Sequence, residues 1–307
     1  MPSVPVLVLA YIRPEMTMRL LQLLLDLGIT KIYISMDGPR NDFDAKKQIS
    51  LIEDIERLFS KKPAFWKIQY LPKNFGVGRG VLAGLDWFFN NEDYGIVIED
   101  DLEFGEDFLS FCANHLLNLD ELDDIWMISG MQVLDEYSKN GSPILSGYPM
   151  IWGWATTANK WRKIRNASSK QEILSPMKFG SRRSYFWNRG FARVQKGKLD
   201  TWDLPLVLTF LSNKKLCLIS SENLVKNLGY DEKASHTEGL IFPLNHPIQK
   251  LENRSNFDVK ELGHSKNYDA LLEKRVFNFR KMHSLFGYPY FFFQKLFLLY
   301  TKNRFDS

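Results

Sequence analysis

YGIVIEDDLEF, Tyr94 to Phe104, contains a short apolar, β-branched run, Gly95 to Ile98, that reads as a buried strand. The run stops at three consecutive carboxylates, Glu99, Asp100 and Asp101. Ligands bind at the carboxyl ends of the strands in an open α/β sheet, so acids at that edge are well placed to share a divalent cation that cancels their repulsion. Hard oxygen donors suit Mg2+ or Mn2+, and such ions commonly bridge to a nucleotide diphosphate. The plainer alternative is an acidic turn that caps the next helix, from Glu106 onward.

Working outward toward the N-terminus, Val4 to Tyr11 reads as an apolar strand. A helix then opens at Pro14 and runs through Leu20, Leu21, Leu24 and Leu25 to a stop at Gly28. Lys31 to Met36 is a second strand ending at Asp37, Ala45 to Ser60 a helix, and Trp66 to Tyr70 a third strand. The alternation β, α, β, α, β without tight hairpin signals predicts parallel crossovers, hence a Rossmann-like, nucleotide-binding sheet flanked by helices. KNFGVGRG, Lys73 to Gly80, precedes a helix over Val81 to Asn90. Its glycines lack the GxGxxG spacing and no acid follows at the ribose distance, so a dinucleotide fingerprint is rejected. A loop that lets backbone approach a ligand, with Arg79 aimed at a phosphate or base, stands beside the reading of an ordinary helix entry.

Beyond the acids, Ile125 to Met131 is apolar, and Met150 to Trp161, MIWGWATTANKW, gathers three of the eight tryptophans around Gly153. Such a cluster lines a sugar or base site, or is simply core. Ser168 to Arg193 reads as a polar, basic and aromatic excursion, followed by DTWDL over Asp200 to Leu204. His236 is a lone histidine in polar surroundings, more often a surface residue than a ligand.

Composition limits the partners. The 307 residues are 45% hydrophobic and 14% aromatic, enough for a large core. The two cysteines, Cys112 and Cys217, stand in apolar surroundings and read as buried thiols of a reducing compartment. From Lys250 to Ser307 there are 11 Lys and Arg against 6 Asp and Glu, a charge of +5. That leaves 29 against 30, or −1, for residues 1–249. A neutral body argues against nucleic acid as a partner, and a basic tail points to an acidic or membrane surface. In the tail, YFFFQKLFLLYTKNRF, Tyr290 to Phe305, sets a narrow polar stripe beside a wide aromatic face. It reads as a helix lying in a membrane interface, or as a helix docked on the domain. No secretory signal is evident near Met1, and no run approaches the about 20 apolar residues of a membrane span.

Taken together, VLVLAYIRP (Val6–Pro14), ISMDG (Ile34–Gly38), VIEDDLE (Val97–Glu103), IWGWATTANKW (Ile151–Trp161), TWD (Thr201–Asp203) and NLGYDEKASHT (Asn227–Thr237) resemble a GT-A type glycosyltransferase. More narrowly, they resemble the inverting N-acetylglucosaminyltransferase I family and its bacterial relatives. The resemblance covers roughly residues 4–240, and VIEDDLE is its most specific match. It implies a GT-A domain over 1–249, with a nucleotide-binding half (1–105) and an acceptor-binding half (106–249); the basic, aromatic helical extension over 250–307 is read from its own residues and has no counterpart in the family. Asp101 would then bind Mn2+ or Mg2+, and Glu99 and Asp100 would contact the sugar or ribose. Arg13 and Asp37 would hold base and ribose, with Arg79 and Trp154 beside the donor. Asp203 would be the general base, with Asp200 a nearby competitor. The implied reaction is inverting transfer of GlcNAc or another hexose from a UDP-sugar to a hydroxyl of a glycan or lipid-linked acceptor, in surface polysaccharide synthesis. The chain lacks the membrane anchor and the cysteine usage of the eukaryotic members, which favours a cytoplasmic enzyme peripheral to the membrane face. The alternatives are a nucleotidyltransferase, whose GxGTR-like loop is replaced here by AYIRPEM, and a non-catalytic membrane-associated binding protein.

Overall fold

A computed structural model describes residues 4–62, 64–134, 137, 141–169, 181–229, 246–251 and 257–277. The aromatic tail beyond residue 277 and His236 lie outside them.

The first half alternates as the hydrophobic pattern requires. Strand β1 (Val6–Ala10) is buried throughout, and α1 (Pro14–Asp26) opens with proline in its first turn, where the missing N–H costs nothing. It turns its Leu20, Leu21 and Leu24 inward, and Gly28 adopts φ +79° just past its end. Next come β2 (Lys31–Met36) and α2 (Asp42–Lys61), the latter capped by the Asn41 side chain accepting from the Asp44 amide. These lead to β3 (Phe65–Tyr70), α3 (Gly76–Asn91) and β4 (Tyr94–Glu99). Strands β3, β2, β1 and β4 lie side by side and parallel, with Leu9 of β1 opposite Glu99 of β4. The crossovers run outward from β1 to β3 and then resume at β4 on the other side of β1. The gap beyond the carboxyl ends of β1 and β4 is therefore a topological switch point, the place where open α/β sheets bind ligands.

After β4 the chain makes β5 (Leu102–Phe104) and α4 (Glu106–Leu116), then completes the sheet with β6 (Ile125–Ser129), β7 (Ile144–Ser146) and β8 (Trp154–Thr157). Helices α5 (Ala158–Ser169), α6 (Ser181–Gln195) and α7 (Asp203–Asn213) precede β9 (Leu216–Ile219) and β10 (Val225–Asn227), and α8 (Lys266–Arg275) follows. The eight-stranded sheet has the order β3-β2-β1-β4-β8-β6-β9-β7, with β8 antiparallel to both β4 and β6. The sheet is thus mixed: its first half is all parallel, while in the second half β6 and β9 pair parallel and β8 and β7 run antiparallel to their neighbours. β10 pairs antiparallel with β5, which brings the late segment Val225–Gly229 directly against the acid cluster.

One buried apolar cluster spans both halves of the sheet and reaches Tyr268 and Leu272 of α8. The two cysteines are free and buried, as expected. Ser181–Gln195, expected as part of an irregular excursion, is helical. Among the described residues no helix is long and apolar enough to cross a membrane.

Candidate functional site

A cavity of about 330 Å³ occupies the switch point. The end of β1 and the turn into α1 supply Tyr11, Ile12 and Arg13. The end of β2 and the loop after it supply Ser35, Asp37 and Arg40. The start of α3 supplies Asn74, Gly76, Val77 and Gly80, the end of β4 supplies Glu99 and Asp100, and Trp202 contributes from in front of α7. Apolar walls with a few convergent polar groups are the usual makeup of a small-molecule site.

The acid cluster is held together by one arginine. Arg13, which directly precedes α1, places Nη1 3.0 Å from Asp100 Oδ1 and 2.8 Å from Asp101 Oδ2. The second oxygen of Asp100 accepts from Thr17 Oγ1 at 3.4 Å, and that of Asp101 from Asn227 Nδ2 at 3.4 Å. The Leu228 amide donates to the Asp101 carbonyl, and Gly229 lies so close that a Cβ there would sit 2.3 Å from Asp101 Oδ2. Asp101 is 4% exposed and does not line the cavity. Asp101, expected to bind the divalent metal directly, is thus enclosed and paired with Arg13. The oxygens it and Asp100 turn toward each other both hold the guanidinium, and among the described residues no three acidic, His or Cys side chains are grouped to hold a metal ion. The residues as arranged do not fit a divalent cation.

Glu99 differs from its neighbours. It lines the cavity and makes no hydrogen bond to the described residues. Although part of its side chain is accessible, burial of the carboxyl, followed by repulsion from Asp101 and Asp100, raises it to about 8. Burial likewise raises Asp100 to about 6, against the opposing pull of Arg13.

Asp37 reaches the cavity, but its carboxylate is engaged with backbone. It accepts from the amides of Gly38, Phe75 and Gly76 at 2.9 Å, capping the start of α3, while burial raises its pKa. Asp200 caps the same helix start, accepting from the Gly78 amide at 2.9 Å. The glycines of GVGRG make room for these two carboxylates. A Cβ on Gly78 would lie 2.6 Å from Asp200 Oδ1, and one on Gly80 2.9 Å from the Asp37 carboxyl carbon. The backbone approach read from the sequence is therefore real, but carboxylates of the chain itself fill it.

Two residues expected beside the donor lie away from the cavity. Arg79 sits on the outward side of α3, exposed and off the cavity, because the inward positions belong to Gly76, Gly78 and Gly80. Trp154 is 1% exposed, locked in β8 between β4 and β6, and stacks on Trp202 with centroids 6.0 Å apart. It is core, and Trp202 is the tryptophan that meets the cavity.

Asp203, the expected base, is fully buried at the first turn of α7. Its Oδ1 accepts from Thr201 Oγ1 and from the Leu204 amide, its Oδ2 is buried without a partner, and burial raises its pKa to about 7. An acceptor hydroxyl has no route to it. Asp200 is exposed and sits beside Gly76, which lines the cavity, without lining the cavity itself.

A network not anticipated from sequence forms the far wall. Tyr11 Oη donates to Asp44 Oδ2 at 2.8 Å, Arg40 pairs with the same oxygen at 2.7 Å, and the guanidinium stands 5.2 Å from the Tyr11 ring. Asp44 is desolvated, yet Arg40 and Tyr11 hold it below the ordinary carboxylate value. Gln48, one turn on, donates to the Asp37 carbonyl and accepts from Tyr70 Oη. The available signal was a pair of polar residues at helical spacing, Asp44 and Gln48, on the apolar face of α2.

No protein-family model and no curated protein matches the chain. Solved structures resemble parts of it. HddC from Yersinia pseudotuberculosis is 14% identical over 51% of this chain and 77% of its own, at a TM-score of 0.32. The mannosyltransferase PcManGT from Pyrobaculum calidifontis, in complex with GDP-Man and Mn2+, is 10% identical over 69% of each chain, at 0.38. A UDP-glucose pyrophosphorylase complexed with UDP-glucose is 12% identical over 74% and 94%, at 0.37. Likeness at this level carries no argument about activity, and the fold class rests on the strand order and register above.

Proposed function

We propose that the protein is a nucleotide-sugar-dependent glycosyltransferase that moves a hexose onto a hydroxyl of a glycan or glycolipid acceptor. The observation that carries this reading is the position of the cavity, at the β1/β4 switch point with carboxylates and arginines converging from the strand ends. Tyr11 and Trp202 offer rings to a base or sugar, and Arg13 and Arg40 are the cations lining the space. In the reaction a carboxylate takes the acceptor proton while the acceptor oxygen attacks the anomeric carbon from the face opposite the diphosphate, so the bond to the diphosphate oxygen breaks with inversion of configuration. Exposure supports Asp200 over Asp203 as that carboxylate, since a base must reach the proton it removes. Support for a transferase over a nucleotidyltransferase comes from the β1–α1 turn, where Tyr11, Ile12 and Arg13 stand in place of a glycine-rich phosphate loop.

The test is thermal denaturation of the full chain against nucleoside mono- and diphosphates and their sugar conjugates. Stabilisation by one nucleoside diphosphate and its sugar conjugate, followed by release of that diphosphate on incubation with acceptor, is expected. Indifference to every nucleotide overturns the reading.

A further inference from the structure

The acid cluster poses an electrostatic problem that the fold itself solves. Asp100 and Asp101 are 6% and 4% exposed, and two ionised carboxylates turned toward each other at such burial require a cation between them. Arg13 Nη1 lies between them, at hydrogen-bond distance from both. Its backbone position is restricted because Pro14 follows, and β1 is registered on β4 through the Asp100 amide donating to the Leu9 carbonyl. The outer oxygens are engaged by Thr17 and Asn227, and Gly229 closes over Asp101. Meanwhile Arg13 lines the cavity with its side chain 29% exposed, and its Nε and Nη2 have no partner among the described residues. A planar guanidinium fixed through one nitrogen keeps its other donors in a set direction, the geometry suited to phosphate oxygens.

We propose that Arg13 is the resident counter-cation of this cluster, filling the place between Asp100 and Asp101 that a divalent ion would take, and that the cavity binds its diphosphate ligand without a divalent ion. The proposal rests on the nucleotide reading of the cavity. It reverses the expectation drawn from VIEDDLE, because the same three acids serve to aim an arginine. A divalent ion could reach Asp101 only by expelling Arg13, which would leave a guanidinium without its partners in a largely enclosed place.

Two measurements on the full chain separate the proposal from the reading beneath it. In the first, Mn2+ is titrated into nucleotide-free protein and followed by electron paramagnetic resonance, for wild type, Arg13→Gln and Arg13→Lys. Wild type and Arg13→Lys are expected to take up no tightly bound ion, while Arg13→Gln, with the acids released, binds Mn2+ at least about tenfold more tightly than wild type. Stoichiometric Mn2+ uptake by wild type that is lost in Asp101→Asn overturns the proposal, and this arm needs no nucleotide. In the second, the best nucleoside diphosphate is titrated calorimetrically with chelator and with Mn2+. Equal affinity in both is expected, and binding that vanishes in chelator overturns the proposal while leaving the nucleotide site standing. If Arg13→Gln fails to fold, the wild-type arms decide alone.

Discussion

Asp200 and Asp203 are three residues apart in sequence, and the fold gives them opposite exposures. Asp200 is open to solvent with one oxygen on the Gly78 amide, whereas Asp203 is sealed with one oxygen unpartnered. Asp200→Asn keeps an oxygen for Gly78 and loses only basicity, so transfer should fall at least about a hundredfold with nucleotide affinity unchanged. Asp203→Asn should leave transfer within about tenfold of wild type; if instead it abolishes turnover, the base assignment reverts to Asp203. The second substitution has a clearer effect on stability. Burial raises Asp203 from 3.8 to about 7, so between those values the folded state holds a proton that the unfolded chain has released. The associated stability is complete below about pH 4 and is lost as pH rises through 7. Urea unfolding at pH 5 and pH 8 should therefore show a drop in wild type that exceeds the drop in Asp203→Asn by about 2–3 kcal/mol. Equal drops in the two proteins would show that Asp203 is ionised in the fold at pH 5.

At the scale of elements, α3 carries the site. Its first turn holds Gly76, Gly78 and Gly80 against the carboxylates of Asp37 and Asp200. Gly78→Ala should destabilise by about 1–3 kcal/mol in urea, the usual cost of an atom forced into filled space, because the new methyl meets Asp200 and also the Thr201 carbonyl at 3.2 Å. Gly105→Ala, which meets nothing within 4 Å, should cost less than about 1 kcal/mol and serves as the control. A null effect at Gly78 would mean that α3 and the Asp200 loop can separate freely. This helix also marks the limit of what the sequence reveals. The Lys31–Met36 strand was legible to the residue, since its apolar run is bounded locally, and so was the Pro14 start of α1. The same reading began α3 at Val81, five residues late, because glycines argue against helix unless a cap is supplied. Here the caps come from Asp37 and from Asp200, which is 122 residues from Gly78. Arg13, Asp37 and the three acids were found at the strand ends by pattern, but which of them touch was not legible. The packing of Trp154 was not legible for a related reason: a tryptophan beside glycine has the same local sequence whether a sugar or another tryptophan covers it.

For the molecule as a whole, the decisive fact is that the sheet and the site are closed by late sequence. β8 inserts between β4 and β6, β10 lies on β5 over the acids, and α8 is fastened to β7. That last fastening is made by Asp269, which accepts from Ser146 Oγ at 2.6 Å and from the Gly147 amide at 3.1 Å, and lies 2.6 Å from His264 Nε2. Tyr268 and Leu272 are fully buried beneath it, and Tyr148 Oη donates to Glu273 at 2.7 Å. The basic extension read from Lys250 onward therefore divides physically. Lys266–Arg275 belongs to the body, while the aromatic stripe over residues 290–305 carries the membrane reading by sequence alone. Two truncations separate these parts. A chain ending at residue 256 exposes the Tyr268 and Leu272 seats and strips Ser146, Gly147 and Tyr148 of their partners Asp269 and Glu273, so it should lose several kcal/mol and aggregate on expression. A chain ending at Phe277 keeps every contact named here and should match the full chain in urea unfolding to within about 1 kcal/mol. On vesicles containing anionic lipid, the same shorter chain should fail to co-sediment where the full chain does, because its apolar and basic stripe is gone. If it loses stability as well, the stripe is a part of the core and its aromatic face is turned toward the domain.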